Sequence, residues 1–221
     1  MVTANILNRT LFISAAEYGS AVVITVDGIE YVVTAKHLLP QTTTTSIKIR
    51  SNQTWVEYTT NEIGRAPGEI DIAVLQIDMQ LMVDDLPAVP DMAGLVLGQD
   101  VFFVGFPYKL EGPVGFVQGH RPLGYVKKGT VSVLDSQHHP ALVIDAINNE
   151  GFSGGPVVFA QLGRPANELK IAAIVSKYRT EQEYVIGADG NETGETIQYN
   201  TGFLYAYSIR YALDLICAQR A

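Results

Sequence analysis

Apolar and polar positions alternate in short runs along most of the chain, with turn residues between the runs. Residues 21–26, 30–35, 45–50 and 54–59 are rich in Val, Ile, Thr and aromatic residues, the composition of strands. Asp27-Gly28 lies between the first two runs. Such a pair readily takes the positive φ angles of a tight hairpin turn, so the two runs are expected to pair antiparallel. A further strand is predicted over 71–77, and residues 84–98, with Pro and Asp, read as a linker. A second set of strands is predicted over 101–106, 129–134, 141–146, 156–160, 169–178 and 198–207. Only 208–219 reads as a helix, because Ile209, Ala212, Leu213 and Ile216 recur at helical spacing after Ser208, a residue suited to cap it. Strands this frequent, with one helix, predict an all-β fold of barrels or a sandwich.

At 221 residues the chain can form one large all-β domain or two small packed barrels. The net charge of −8 and the lack of a Lys/Arg run argue against a nucleic-acid partner. The single cysteine, Cys217, excludes an intramolecular disulfide and reads as a small packing residue of the last helix. No apolar run is long enough for a membrane span. Residues 1–10 lack a basic segment followed by an apolar core, so no signal peptide is read and a cytoplasmic location is expected, with a secreted or periplasmic one as the alternative if a signal was removed. No cofactor or metal is expected: His138 and His139 are adjacent, which on a strand sends them to opposite faces, and no Cys/His/Asp spacing suits zinc.

Three segments carry candidate chemistry. Thr34-Ala35-Lys36-His37 ends an apolar strand, where a histidine can project into a cleft. Asp71-Ile72-Ala73-Val74-Leu75 opens a strand with an acid. Gly151-Phe152-Ser153-Gly154-Gly155-Pro156 places a serine among glycines ahead of a strand, and glycines let backbone N–H groups converge on one point. Each segment also has a bland reading: a loop histidine, a strand-start aspartate, a glycine-rich turn. Together they supply what serine nucleophilic chemistry needs: a hydroxyl, a base to take its proton, and a carboxylate to hold the imidazole tautomer.

The three segments, in the order His, Asp, Ser, resemble the chymotrypsin/trypsin-like serine proteases. The resemblance is to the cysteine-poor bacterial type, similar to the protease domain of the high-temperature-requirement proteases. Gly19-Ser20-Ala21-Val22-Val23-Ile24 and Tyr31-Val32-Val33-Thr34-Ala35-Lys36-His37 are similar to that family's first hairpin and histidine motif. Gly105-Phe106-Pro107, Gly129-Thr130-Val131-Ser132 and Ile174-Val175-Ser176 are similar to landmarks of its second barrel. The likeness runs over roughly residues 15–217. It implies two packed six-stranded antiparallel Greek-key barrels with a C-terminal helix. The first, over 1–90, would carry the histidine and aspartate, and the second, over 91–221, the nucleophile. It implies a serine endopeptidase acting on protein or peptide substrates, with His37, Asp71 and Ser153 as triad and the N–H groups of Gly151 and Ser153 as oxyanion hole. It further implies that Ser176, Lys177 and Tyr178 pair with the substrate backbone. Ile147 and Asn148 would form the floor of the specificity pocket and Gly202 part of its wall. With no acid at that floor, cleavage after aliphatic or aromatic residues is expected, or after acidic ones if Lys177 or Arg179 turns inward.

The sequence departs from the family in places. Phe152 stands where zymogen-activated members carry an aspartate, Lys177 replaces the usual aromatic residue of the substrate strand, and 109–128 is longer than in the simplest members. Asp78, Asp84 and Asp85 are the nearby alternatives to Asp71. Two other functions compete. Gly151-Phe152-Ser153-Gly154-Gly155 also fits the nucleophile elbow of an α/β-hydrolase, but there the serine precedes its partners and a helix follows it. A catalytically silent peptide-binding module on the protease fold is the other alternative.

Overall fold

The structure, a computed structural model, describes all residues except 83–87, 115–119, 137 and 221. Residues 84–87 of the expected linker, the alternative acids Asp84 and Asp85, and part of the long 109–128 segment therefore lie outside the described residues.

The first half of the chain closes on itself around apolar side chains that its strands turn inward. Six strands, β1 (Thr10–Ser14), β2 (Tyr18–Val26), β3 (Ile29–Thr34), β4 (Ser46–Ser51), β5 (Thr54–Arg65) and β6 (Ala73–Ile77), form a closed antiparallel barrel in the order β1-β2-β3-β6-β5-β4. Asp27 and Gly28 do make the turn between β2 and β3, with φ of 49° and 78°, and Val26 pairs with Ile29 across it. Ala21, Val23 and Val32 point into this barrel with Leu11, Ile13, Ile47, Ile49 and Leu75. Their neighbours Val22, Ile24 and Val33 point the other way, into a core shared with the second half of the chain. Burial on both faces is why β2 reads as an unbroken apolar run.

The second half repeats the plan. β8 (Asp100–Gly105), β9 (Tyr125–Val133), β10 (Ala141–Asp145), β11 (Pro156–Ala160), β12 (Leu169–Ile186) and β13 (Glu192–Ser208) run β11-β8-β9-β10-β13-β12, and a β11–β12 pairing completes the ring. In both rings the third strand lies beside the sixth, the Greek-key crossing. A two-residue strand, β7 (Val89–Pro90), adds to the outer side of β12 in parallel, an exception to the expected antiparallel pairing. Val101, Phe103, Leu142, Ile144, Val157, Phe159 and Leu204 fill the second interior.

The helix α2 (Arg210–Arg220) buries Ala212 and Ile216, and it packs on β5 and β6 of the first barrel. Ser208 Oγ accepts the Arg210 N–H at 3.3 Å, so the expected cap operates from the last residue of β13. Three expectations are corrected. A second helix, α1 (Ala4–Arg9), precedes β1. Cys217 is exposed, because it falls on the solvent side of α2. The hairpin of β12 and β13 extends well past residue 178 and begins its return well before 198.

Candidate active site

The two rings place equivalent loops, those that follow their third strands, on either side of one cleft of about 850 Å³. The loop after β3 begins with a short 3-10 turn, Lys36–Leu38, in which Leu38 is buried and His37 faces the cleft. Lys36 Nζ donates to the carbonyls of Ala66 (3.0 Å) and Gly68 (2.8 Å), which ties this turn to the loop that leads into β6. Asp71 lies on that loop, two residues ahead of β6 rather than within the strand.

Asp71 is largely buried and fully engaged. Its Oδ2 is 2.6 Å from His37 Nδ1 and accepts the Ser176 hydroxyl at 2.6 Å, while its Oδ1 accepts the His37 backbone N–H at 2.9 Å. Burial alone would raise the Asp71 pKa, but the bonds from His37 and Ser176 and the charge of His37 outweigh it and hold the carboxyl below its ordinary value. Burial likewise works to lower the His37 pKa. The hydrogen bond and charge of Asp71, with Glu17 adding, reverse that and leave His37 raised. The His37 side chain is 41% exposed, so its far nitrogen is open to the cleft.

Ser153 lies across the same cleft, on the loop between β10 and β11. Its hydroxyl donates to the Ser176 carbonyl at 2.8 Å. The loop is fixed by its backbone. Ser20 N–H donates to Ser153 O (2.8 Å), Gly154 N–H to Val175 O (2.7 Å), and Val175 N–H to Gly155 O (2.9 Å). Gly151 takes φ +95° in a turn closed by Phe152 N–H on Asn149 O, and a Cβ there would come within 2.1 Å of Phe106 O. Gly154 takes φ +83°, and a Cβ there would come within 1.9 Å of Ser20 O. The Glu150 carbonyl accepts Tyr108 N–H at 2.9 Å. Because C=O and N–H point oppositely in a trans peptide, the Gly151 N–H is turned to the other side. Among the described residues neither the Gly151 nor the Ser153 N–H donates to a backbone carbonyl.

Ser20 was not singled out in the sequence. Its buried hydroxyl donates to Gly151 O at 2.7 Å and accepts Phe106 N–H at 3.2 Å, so a residue of the first barrel holds the serine loop of the second. Thr34 Oγ1 in turn donates to Ser20 O at 2.8 Å. Nothing distinguishes Ser20 in a strand pattern except polarity at a position flanked by buried residues. Phe152 is fully buried beneath the loop, edge-on to Phe103 with ring centroids 5.0 Å apart.

Of the residues expected to bind substrate, Ser176, Lys177 and Tyr178 line the cleft with His37, Asp71, Gly151 and Ser153. Ile147, Asn148 and Gly202 do not. Ile147 is 53% exposed, its carbonyl is engaged by Lys127, and its side chain lies beside Gly202. Asn148 is buried with its side-chain amide unpartnered, and its carbonyl accepts Asn200 Nδ2 at 2.6 Å.

A family model described as the trypsin-like peptidase domain matches residues 19–165. No curated protein matches the chain at a significant level. Among solved structures, the protease Rv3671c of M. tuberculosis H37Rv in its inactive form is similar at TM-score 0.59 and 14% identity, over 99% of this chain and 92% of that one. A serine endoprotease from Yersinia pestis is similar at TM-score 0.59 and 19% identity, over 97% of this chain and 63% of that one. The HtrA-type protease AlgW with a tripeptide is similar at TM-score 0.57 and 22% identity, over 97% of this chain and 62% of that one. The chain therefore spans less than two thirds of the last two, and at these identities the likeness is one of fold.

Proposed function

The chain belongs to the trypsin-like peptidase family, and on that premise we propose that it is a serine endopeptidase with His37, Asp71 and Ser153 as its triad. One observation carries the reading: Asp71 holds His37 by ring and backbone, with Ser153 lining the same cleft. The proton on His37 Nδ1 faces Asp71, which leaves Nε2 as the acceptor a serine hydroxyl requires.

In the proposed cycle a peptide lies along residues 176–178, and its N–H competes for the Ser176 carbonyl that Ser153 now occupies. The released hydroxyl turns to His37 Nε2. His37 takes the hydroxyl proton as Ser153 Oγ attacks the scissile carbonyl, and the Gly151 and Ser153 N–H groups receive the oxyanion. The imidazolium then protonates the leaving amine, and an acyl-enzyme remains on Ser153. Water, deprotonated by His37, attacks the ester, and collapse releases the acid and the free hydroxyl. A single donor of this kind contributes about 2.7–4 kcal/mol to such a transition state. That the AlgW structure holds a tripeptide supports a peptide as substrate class.

A catalytically silent peptide-binding module is the second reading, favoured by the Ser153 hydroxyl's bond to Ser176 rather than to His37. Cleavage of a peptide library by the wild-type protein and by Ser153→Ala separates the two. Turnover that disappears in Ser153→Ala supports the protease. Peptide binding by the wild type with no turnover selects the silent module.

A further inference from the structure

The β12–β13 hairpin outruns the barrel that it closes. β11 pairs with β12 only over residues 169–174, and β10 with β13 only over 203–207. From residue 179 to residue 200 the two strands pair with each other alone among the described residues. A free two-stranded ribbon is marginal in water, and this one is reinforced across its width. Gln198 Nε2 donates to Thr180 Oγ1 (2.8 Å), the Tyr199 hydroxyl to Glu183 (3.1 Å) and Thr193 Oγ1 to the Val185 carbonyl (3.1 Å). At the tip Gly187 N–H donates to Asn191 O at 2.8 Å, and Asp189 Oδ1 accepts the Asn191 N–H at 3.1 Å. The ribbon is thus a built feature with an open backbone edge on each side.

The β12 edge is the one that matters for chemistry, because it is the continuation of the cleft. Ser176, whose carbonyl meets the Ser153 hydroxyl, and Tyr178 lie on the same strand, and the strand carries on from there through Ile186 with no other strand on that side among the described residues. Residues 179–186 add about 26 Å of unpaired edge at the usual rise per strand residue. We propose that this edge is an extended substrate subsite, which pairs with the part of a peptide several residues N-terminal to the scissile bond and selects basic side chains there. The inference rests on the protease reading and specifies its substrate class.

Direction follows from the strand. β12 runs away from Ser153 as its numbering rises, so an added antiparallel peptide places its N-terminal part over the ribbon. Selectivity follows from charge. Between residues 179 and 200 the ribbon carries Glu181, Glu183, Asp189, Glu192 and Glu195 against Arg179, whose guanidinium donates to Glu181 at 2.6 Å. Exposed Ile197, paired across the ribbon with Glu183 and so on the same face, offers apolar contact for the stems of lysine and arginine. A second copy of this chain on the same edge would bring like carboxylates together, which opposes pairing between copies.

The test uses two peptide libraries, each with a randomised core. One has a lysine-rich segment and the other a glutamate-rich segment about five to eight residues upstream of the core, and a third peptide set carries the lysine-rich segment downstream instead. Binding to the Ser153→Ala protein is read by fluorescence anisotropy. The upstream lysine segment is expected to tighten binding on the order of tenfold over the glutamate segment. The double charge reversal Glu181→Lys/Glu183→Lys is expected to abolish or invert that preference. Equal binding of both libraries, a preference untouched by the reversal, or a gain only from the downstream segment would overturn the subsite. Wild-type cleavage of the core without either segment tests the protease reading separately, so the failure of one is distinguishable from the failure of the other.

Discussion

Asp71 grips His37 at two points, with Oδ2 2.6 Å from the ring Nδ1 and Oδ1 accepting the backbone N–H at 2.9 Å. The second contact ties the carboxylate to the chain as well as to the ring, so a flip of the imidazole breaks the ring bond and a departure of Asp71 breaks both. Asp71→Asn keeps the shape but lets the amide donate to the ring and favour the wrong tautomer. On the proposed mechanism the turnover number falls on the order of 10⁴-fold. Steady-state kinetics on a fluorogenic peptide checks this. Asp78, on the surface and away from the cleft, is the control, and its replacement by Asn should change turnover less than about twofold.

The same contact sets the pH response. His37 must be neutral to accept the serine proton, and its pKa is held above the ordinary 6.5. Turnover is therefore expected to climb with pH through a midpoint above 6.5, and the midpoint should fall in Asp71→Asn. The stability signs follow separately. The raised histidine contributes fully below its unfolded pKa and is lost as pH rises through the folded value. The lowered aspartate contributes above its unfolded pKa and is lost as pH falls through the folded one. The pair therefore stabilises the fold most between those limits. A pH–rate profile of both proteins, with thermal melts across the same range, measures each effect.

Ser20→Ala removes the link between the barrels at the serine loop. It leaves the Gly151 carbonyl without its hydroxyl donor and Phe106 N–H without its hydroxyl acceptor. Loss of such buried partners costs about 1–3 kcal/mol. The expected result is a lowered melting temperature together with a fall in turnover larger than any rise in KM, since the change reaches the oxyanion donor proposed on Gly151. Unchanged turnover would separate Ser20 from the chemistry.

Phe152 anchors the loop by packing where an ion pair to a freed N-terminus would otherwise serve. It is fully buried against Phe103, and truncation of such a side chain costs about 3–5 kcal/mol. Phe152→Ala is expected to lower stability by that order in chemical denaturation. Activity is expected in protein whose N-terminus is intact by mass spectrometry, with no gain on trimming.

The barrels were legible because burial on two faces writes unbroken apolar runs, as in β2, and the Asp27-Gly28 turn follows from its φ requirement alone. Bringing His37, Asp71 and Ser153 to one cleft depends on topology that no local pattern carries, and there the family resemblance supplied the order. The distal β12–β13 ribbon was missed for a physical reason. Its Thr, Gln and Glu positions bury nothing, so cross-strand bonds such as Thr180–Gln198 hold it without the hydrophobic alternation that marks a strand. The helix α1 is too short for helical spacing to show.

Phosphonylation by a fluorophosphonate tests the central claim most directly, because it requires a serine hydroxyl activated by a neighbouring base and no knowledge of the natural substrate. The predicted result, read by peptide-resolved mass spectrometry on the folded protein, is a single adduct on Ser153 that is absent in Ser153→Ala and strongly slowed in His37→Ala. A folded protein that stays unmodified at Ser153 while a known serine protease is labelled in parallel would contradict the assignment of Ser153 as an activated nucleophile.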